Sequence, residues 1–155
     1  MVSYDDDWSA HHPSIAATPP GSIDPAWDGT MHVVWDEQND ADAGIPHTYE
    51  IHYSSSPGST GGRQWSNDEP AEGDKIISST ARQKSGGGAQ TNEYFSLDAL
   101  DPSIAVDRLG FVHVVWRQLY DDGSWEIIYS RSTDNGIQWT GFAGGADKVI
   151  SHRNV

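Results

Sequence analysis

The chain has 155 residues, of which 35% are hydrophobic and 21% charged, and this composition predicts one compact folded domain. A formal net charge of -14 argues against binding to nucleic acid or anionic membranes, and the lack of cysteine excludes disulfides and thiolate chemistry. The longest apolar run, 111–116, is interrupted by a histidine and is too short to span a bilayer. Acidic residues stand where a signal peptide would be basic, so we expect an intracellular protein or a secreted one that has lost its leader.

Four short segments rich in Val, Ile, Tyr and Trp are predicted to be strands in the first half of the chain. They lie near 22–24, 32–35, 49–54 and 74–78. Clusters of Gly, Asp, Asn, Ser and Pro separate them, and no segment shows the 3.6-residue apolar spacing of a helix. These features predict a four-stranded antiparallel meander.

The second half of the chain repeats the first. The matched blocks, in chain order, are SIDPAWDGTMHVVW with SIAVDRLGFVHVVW, YEIHYS with WEIIYS, QW with QW, and DKIIS with DKVIS. The order of the blocks is preserved, and only the loop lengths between them differ. Strands of a second sheet are therefore predicted near 103–106, 112–116, 126–130 and 147–151.

The second strand of each repeat carries consecutive apolar residues, at 33–35 and 114–116, which indicates a sheet covered on both faces. The blades of a β-propeller are covered in this way, but a propeller closes with about 4 to 8 blades. Two blades must therefore leave two faces exposed, belong to a longer protein, or complete a ring by self-association.

A turn near the end of the second repeat contains Ser132, Asp134, Gly136 and Trp139 in the pattern SxDxGxxW. This pattern resembles the Asp-box, or bacterial neuraminidase repeat, of sialidase-like β-propellers, and the segment 54–65 resembles a degenerate copy of it. The resemblance implies an all-β fold of two four-stranded antiparallel blades. Because sialidases have six blades, it also implies a homotrimer that completes a six-bladed propeller, with an eight-bladed tetramer as the alternative.

The expected organisation follows from the repeats. A segment 1–21 bridges to a neighbouring chain, blade 1 spans 22–78, a connection spans 79–101 and blade 2 spans 102–155. The Asp-box residues are expected to be structural, since an Asp can accept backbone N–H groups and Gly136 permits a positive φ. His32 and His113 recur at one strand position and are expected to be core histidines.

Ligand-binding residues are expected on the face that holds the loops between the second and third strands. Asp36 and Arg117 begin these loops at equivalent positions and are expected near the central channel. The other candidates on that face are Arg82, Tyr94, Tyr120, Asp121 and Trp8. Aromatic rings that stack on sugars, beside polar groups that bind hydroxyls, would suit a glycan.

The sequence is compatible with three functions. The resemblance implies a sialidase, with three arginines on the substrate carboxylate and a tyrosine nucleophile, but the family's Arg-Ile-Pro motif is absent. We therefore expect a non-catalytic, lectin-like or interaction protein whose partners are copies of itself and a glycan. A glycoside hydrolase or a fragment of a larger sialidase-like protein is one alternative, and a purely structural assembly is the other.

Two clusters of acidic residues and histidines could offer ligands to Ca²⁺, although neither has the spacing of an EF-hand loop. A solvated acidic loop is the preferred interpretation of both, so no metal site and no cofactor are predicted. The clusters consist of Asp5, Asp6, Asp7, His11 and His12, and of Asp36, Glu37, Asp40 and Asp42.

Overall fold

The computed structural model describes residues 9–39, 48–66, 75–78, 98–120, 123–140 and 148–151. These residues form two four-stranded antiparallel sheets, which confirms the predicted all-β class. Two single-turn 3-10 helices, Pro25–Trp27 and Gly58–Thr60, interrupt the connections of the first sheet. Among the described residues, no helix has the length and apolar character needed to cross a membrane.

Sheet 1 has the strand order β1-β2-β3-β4, in which neighbouring strands are also neighbours along the chain. Its strands are β1 (Ala10–Ala17), β2 (Met31–Asn39), β3 (Thr48–Ser56) and β4 (Lys75–Ile76). Sheet 2 repeats this order with β5 (Ala99–Val106), β6 (Val112–Leu119), β7 (Trp125–Ser132) and β8 (Lys148–Val149). Both sheets are the meanders that the repeats predicted.

The first strand differs from the sequence-based prediction. Strand β1 is Ala10–Ala17, inside the predicted segment 1–21, whereas residues 22–24 lead into a 3-10 helix that the Asp24 carboxylate caps at Ala26 N–H. The register explains the error, because Ser14 pairs with Val34 as Ser103 pairs with Val115. The connection 18–30 is longer than its counterpart 107–111, so an ungapped alignment placed this strand too late in the chain.

The two sheets pack face to face around a shared apolar core. Val34, Ile51 and Tyr53 of sheet 1 contact a layer on sheet 2 that includes Val114 and Trp116. The first strands of the two sheets also lie beside each other, since Ile104 N–H donates to Ser14 Oγ at 3.3 Å. Burying these side chains removes apolar surface from water, and this is the main stabilisation of the sheet pair.

Sheet 1 is covered on both sides along its second strand, as predicted from the consecutive apolar residues. Val33, Val34 and Trp35 are all buried. Strand β6 differs, because Val114 and Trp116 are buried whereas Val115 between them is only half-buried. One face of sheet 2 is therefore less covered than the equivalent face of sheet 1.

Candidate functional site

Two β-bulges place unusual residues on the first strand of each sheet. The pairing of β1 with β2 shifts between His11 and Ser14, and that of β5 with β6 shifts between Leu100 and Ser103. Within these bulges His12 has φ 47° and Asp101 has φ 55°, which is the left-handed region that non-glycine residues rarely adopt. His12 and Asp101 thus occupy equivalent positions in the two repeats.

The bulges bring four polar side chains together, which we call the inner cluster: His12, Asp36, Asp101 and Arg117. His12 Nδ1 lies 2.9 Å from Asp36 Oδ1 and 3.3 Å from Asp101 Oδ1. Arg117 Nε lies 2.6 Å from Asp101 Oδ2, and Asp101 N–H donates to Asp36 Oδ1 at 3.2 Å. Each sheet contributes one bulge residue and one residue of its second strand.

Burial differs sharply within the inner cluster. The Asp36 side chain is fully buried, whereas those of His12, Asp101 and Arg117 are 58%, 45% and 43% exposed. Asp36 Oδ2 is buried and has no hydrogen-bond partner among the described residues. The inner cluster is therefore a solvent-exposed group of polar side chains above one buried carboxylate.

An exposed aromatic ring lies next to the inner cluster. The Arg117 guanidinium carbon stands 4.6 Å from the ring centroid of Trp125, which is 42% exposed. A cation placed over an indole face at this distance is attracted by the ring quadrupole. The site thus combines carboxylates, a guanidinium and an accessible aromatic surface.

The structure joins some of the predicted ligand residues and separates others. Asp36 and Arg117 are linked through Asp101, although both lie inside β2 and β6 rather than at the start of loops. Tyr120 packs beside the core, and its backbone N–H donates to the Ser124 carbonyl. Four further candidates lie outside the described residues: Arg82, Tyr94, Asp121 and Trp8.

The predicted metal-ligand clusters are rearranged. His12 of the first cluster meets Asp36 of the second, whereas exposed His11 lies near the Tyr49 ring, with the centroids 6.2 Å apart. Glu37 is buried and accepts a hydrogen bond from Trp35 Nε1. Asp5, Asp6, Asp7, Asp40 and Asp42 lie outside the described residues.

Asp101 is the residue that the sequence analysis missed. It precedes Pro102-Ser103-Ile104-Ala105, which matches Pro13-Ser14-Ile15-Ala16 after His12. Aligning these two blocks would have paired Asp101 with His12. The repeat therefore held a signal for the bulge position, which the ungapped alignment hid.

The SxDxGxxW segment forms a compact turn at the opposite end of sheet 2. Ser132 Oγ donates to Asp134 Oδ1 at 2.8 Å and accepts from Gly136 N–H at 2.8 Å, while Gln138 N–H donates to Asp134 Oδ1. Trp139 Nε1 donates to the Gly136 carbonyl at 3.1 Å. Hydrogen bonds within the turn occupy these groups, which fits a structural role for the segment.

The degenerate copy forms a related turn. Trp65 Nε1 donates to the Gly62 carbonyl at 3.1 Å, as Trp139 does to Gly136. Ser56 Oγ lies 2.9 Å from Thr60 Oγ1, so a threonine hydroxyl takes the place of the aspartate. The hydrogen bond from the tryptophan to the glycine carbonyl is thus retained, although the hairpin is longer and its polar group is different.

The two recurring histidines bond equivalent tyrosines. His32 Nδ1 lies 2.7 Å from the Tyr53 hydroxyl, and His113 Nδ1 lies 2.8 Å from the Tyr129 hydroxyl. Burial lowers the pKa of His32 to about 4, because the charged imidazolium would lose its hydration. His32 is therefore a neutral core residue, as predicted, and lies away from the inner cluster, whereas His113 is only partly buried.

Comparison of the chain with protein-family models gives no match, and comparison with curated protein sequences gives none either.

Proposed function

We propose that the protein is a non-catalytic binding module whose copies associate head to tail into a closed β-propeller, with a glycan bound at the inner cluster. Repeat equivalence between the two sheets carries this proposal. Two apolar residues that are buried between the sheets of one chain, Ile51 and Ile104, have exposed repeat equivalents elsewhere on the same chain, Ile127 and Ile15.

The first such pair of faces involves β3 and β7. Ile51 and Tyr53 of sheet 1 are buried against sheet 2, at 0% and 3% exposure. Their repeat equivalents, Ile127 and Tyr129, lie on the opposite side of sheet 2 from the core residue Ile128, and Ile127 is 40% exposed. We call this the open face of sheet 2, which also carries Val115.

The second pair of faces involves the first strands. Ile104 of sheet 2 is buried against sheet 1 at 8% exposure, whereas its equivalent in sheet 1, Ile15, is 63% exposed. A second copy that placed this side of sheet 1 on the open face would repeat the packing found within one chain. Such contacts join unlike faces head to tail, and they form a ring when the rotation closes.

Specific contacts in the intrachain interface predict those between copies. Tyr53 packs on the ring of Trp139, and Lys75 Nζ donates to the Gly136 carbonyl at 3.1 Å. The equivalents of Tyr53 and Lys75 on sheet 2 are Tyr129 and Lys148. In the proposed ring, Tyr129 meets the Trp65 turn of the next copy.

Three copies would supply six blades, which is the number in the sialidase-like propellers that the turn resembles, and four copies would supply eight. In either ring the first strands of the two sheets, β1 and β5, face the central channel. The inner cluster lies beside these strands and so is placed at the channel. The inner cluster is then repeated once per chain, and repeated weak sites gain avidity for a ligand with several copies of one epitope.

The chemistry of the inner cluster supports a glycan as the ligand. Carboxylates and a guanidinium hydrogen-bond sugar hydroxyls, and the partly exposed Trp125 offers an apolar surface for a sugar ring. Binding of this kind requires no nucleophile.

Light scattering on a size-exclusion peak tests the assembly. We expect a mass about three times 16.9 kDa for the wild type, and the mass of one chain for Ile127→Asp. Ile137→Asp is the matched control, because Ile137 is exposed but lies outside the open face. A wild-type monomer, or an Ile127→Asp variant that remains assembled, would contradict the ring.

A glycan array tests binding by the intact assembly. We expect a subset of glycans to be bound by the wild type and lost in Arg117→Gln. Arg131→Gln is the control, since Arg131 lies on the same strand pair at the other end, next to Phe111. No glycan bound by the assembled protein would refute this function, and turnover of a glycoside that Arg117→Gln abolishes would favour the hydrolase.

A further inference from the structure

Three residues of the inner cluster offer a set of ligand atoms for a metal ion. His12, Asp36 and Asp101 each provide one nitrogen or oxygen atom, and these atoms all lie within 4.8 Å of one another. Ligands about 2.0–2.2 Å from a tetrahedral Zn²⁺ are separated from one another by about 3.3–3.6 Å. His12 Nδ1 lies 2.9 Å from Asp36 Oδ1 and 3.3 Å from Asp101 Oδ1, which is close to that spacing.

Asp36 provides independent evidence for a ligand at this point. It is fully buried, and its Oδ1 is directed at His12 Nδ1 and the Asp101 N–H group. Its second oxygen, Oδ2, is buried without a hydrogen-bond partner among the residues that the structure describes. Leaving a buried carboxylate oxygen unsatisfied is costly, and an ion that Oδ2 coordinates together with Oδ1 would remove that cost.

The charge of the inner cluster also favours a cation. Asp36 and Asp101 carry two negative charges, and Arg117 balances only the one on Asp101, at 2.6 Å. The whole chain has a formal net charge of -14, which raises the local concentration of cations around it. A divalent ion would neutralise the carboxylate that the arginine does not reach.

We propose that His12, Asp36 and Asp101 bind one divalent transition-metal ion per chain, of the Zn²⁺ class. An imidazole nitrogen with two carboxylate oxygens suits such an ion, whereas Ca²⁺ prefers six to eight oxygen ligands. His12 and Asp101 are about half exposed, so a coordination position remains open to water or to an oxygen of a ligand. All three residues belong to one chain, so the metal site does not depend on the ring.

Calorimetric titration of Zn²⁺ into the untagged, EDTA-treated full chain tests the site. We expect one ion bound per chain, and affinity lowered by about tenfold or more in His12→Gln and in Asp101→Asn. His11→Gln is the matched control, because His11 is an exposed neighbour outside the three-residue set. Ca²⁺ at the same concentration is expected to compete poorly.

Asp36→Asn is expected to abolish Zn²⁺ binding while circular dichroism shows a folded chain. If that variant unfolds, the half-exposed His12 and Asp101 variants decide the result. Zn²⁺ binding by the Ile127→Asp variant should equal that of the wild type, which separates failure of the metal site from failure of the ring. No wild-type binding, or equal binding by His12→Gln and His11→Gln, would overturn the site.

Discussion

Tyr53 of sheet 1 and Trp139 of sheet 2 pack edge to face, with ring centroids 5.0 Å apart and an interplanar angle of 70°. The Tyr53 hydroxyl donates to the Asn135 carbonyl at 3.3 Å, and His32 Nδ1 lies 2.7 Å from the same hydroxyl oxygen. On the other side of the imidazole, His32 Nε2 lies 2.9 Å from Thr18 Oγ1. A single tyrosine thus links the core of one sheet to the turn of the other.

Removing the Tyr53 hydroxyl should weaken the contact between the sheets. Tyr53→Phe keeps the ring packing but leaves the buried His32 Nδ1 without this hydrogen-bond partner. We expect the free energy of unfolding to fall by about 1–3 kcal/mol in urea titration. Tyr129→Phe is the control, with both changes made in the Ile127→Asp background, where Tyr129 contacts no second copy. An equal loss there would mean that the inter-sheet bond contributes nothing specific.

Gly136 should tolerate no side chain, for two separable reasons. Its φ is +88°, and an added Cβ would lie 1.9 Å from the Tyr53 hydroxyl oxygen. Gly123 has a φ of +80° with nothing within 4 Å, so Gly123→Ala measures the backbone cost alone. We expect unfolding free energies lower by about 1 kcal/mol for Gly123→Ala and by about 3 kcal/mol for Gly136→Ala. Equal losses would exclude the clash with Tyr53.

Stability should fall as the pH drops from about 6.5 to about 4. Burial lowers the pKa of His32 and of His52 from the usual 6.5 to about 4 in the folded chain. The unfolded chain binds protons first, so the stabilisation is complete above pH 6.5 and is lost progressively as the pH falls. Fully buried His32 accounts for about 3 kcal/mol of this loss at pH 4.

Urea titrations at several pH values measure this dependence. His32→Gln should be less stable than the wild type at pH 7, and its stability should depend less on pH between 6.5 and 4. Identical pH slopes in the two proteins would show that His32 takes up its proton in the folded state.

The strands that carry the core could be predicted because they are rich in β-branched and aromatic residues and are separated by turn-forming residues. Residues 32–35, 49–54, 112–116 and 126–130 all lie within observed strands. The first strand of sheet 1 could not be placed in this way. Its segment contains two histidines and a proline at an irregular bulge. Residues 22–24, in the long connection after it, resemble the start of the 103–106 strand and were therefore predicted as the strand instead.

The sequence by itself determined the duplication, the all-β class and the equivalence of Asp36 with Arg117, because each depends on local pattern and order. Only the tertiary structure decided that His12 and Asp101 join them. Two bulges turn these residues out of their strands, and face-to-face packing then brings atoms 89 positions apart in the chain to within 3.3 Å. Separation along the chain does not predict such a contact, because strand register and the packing of the two sheets determine which residues lie close together.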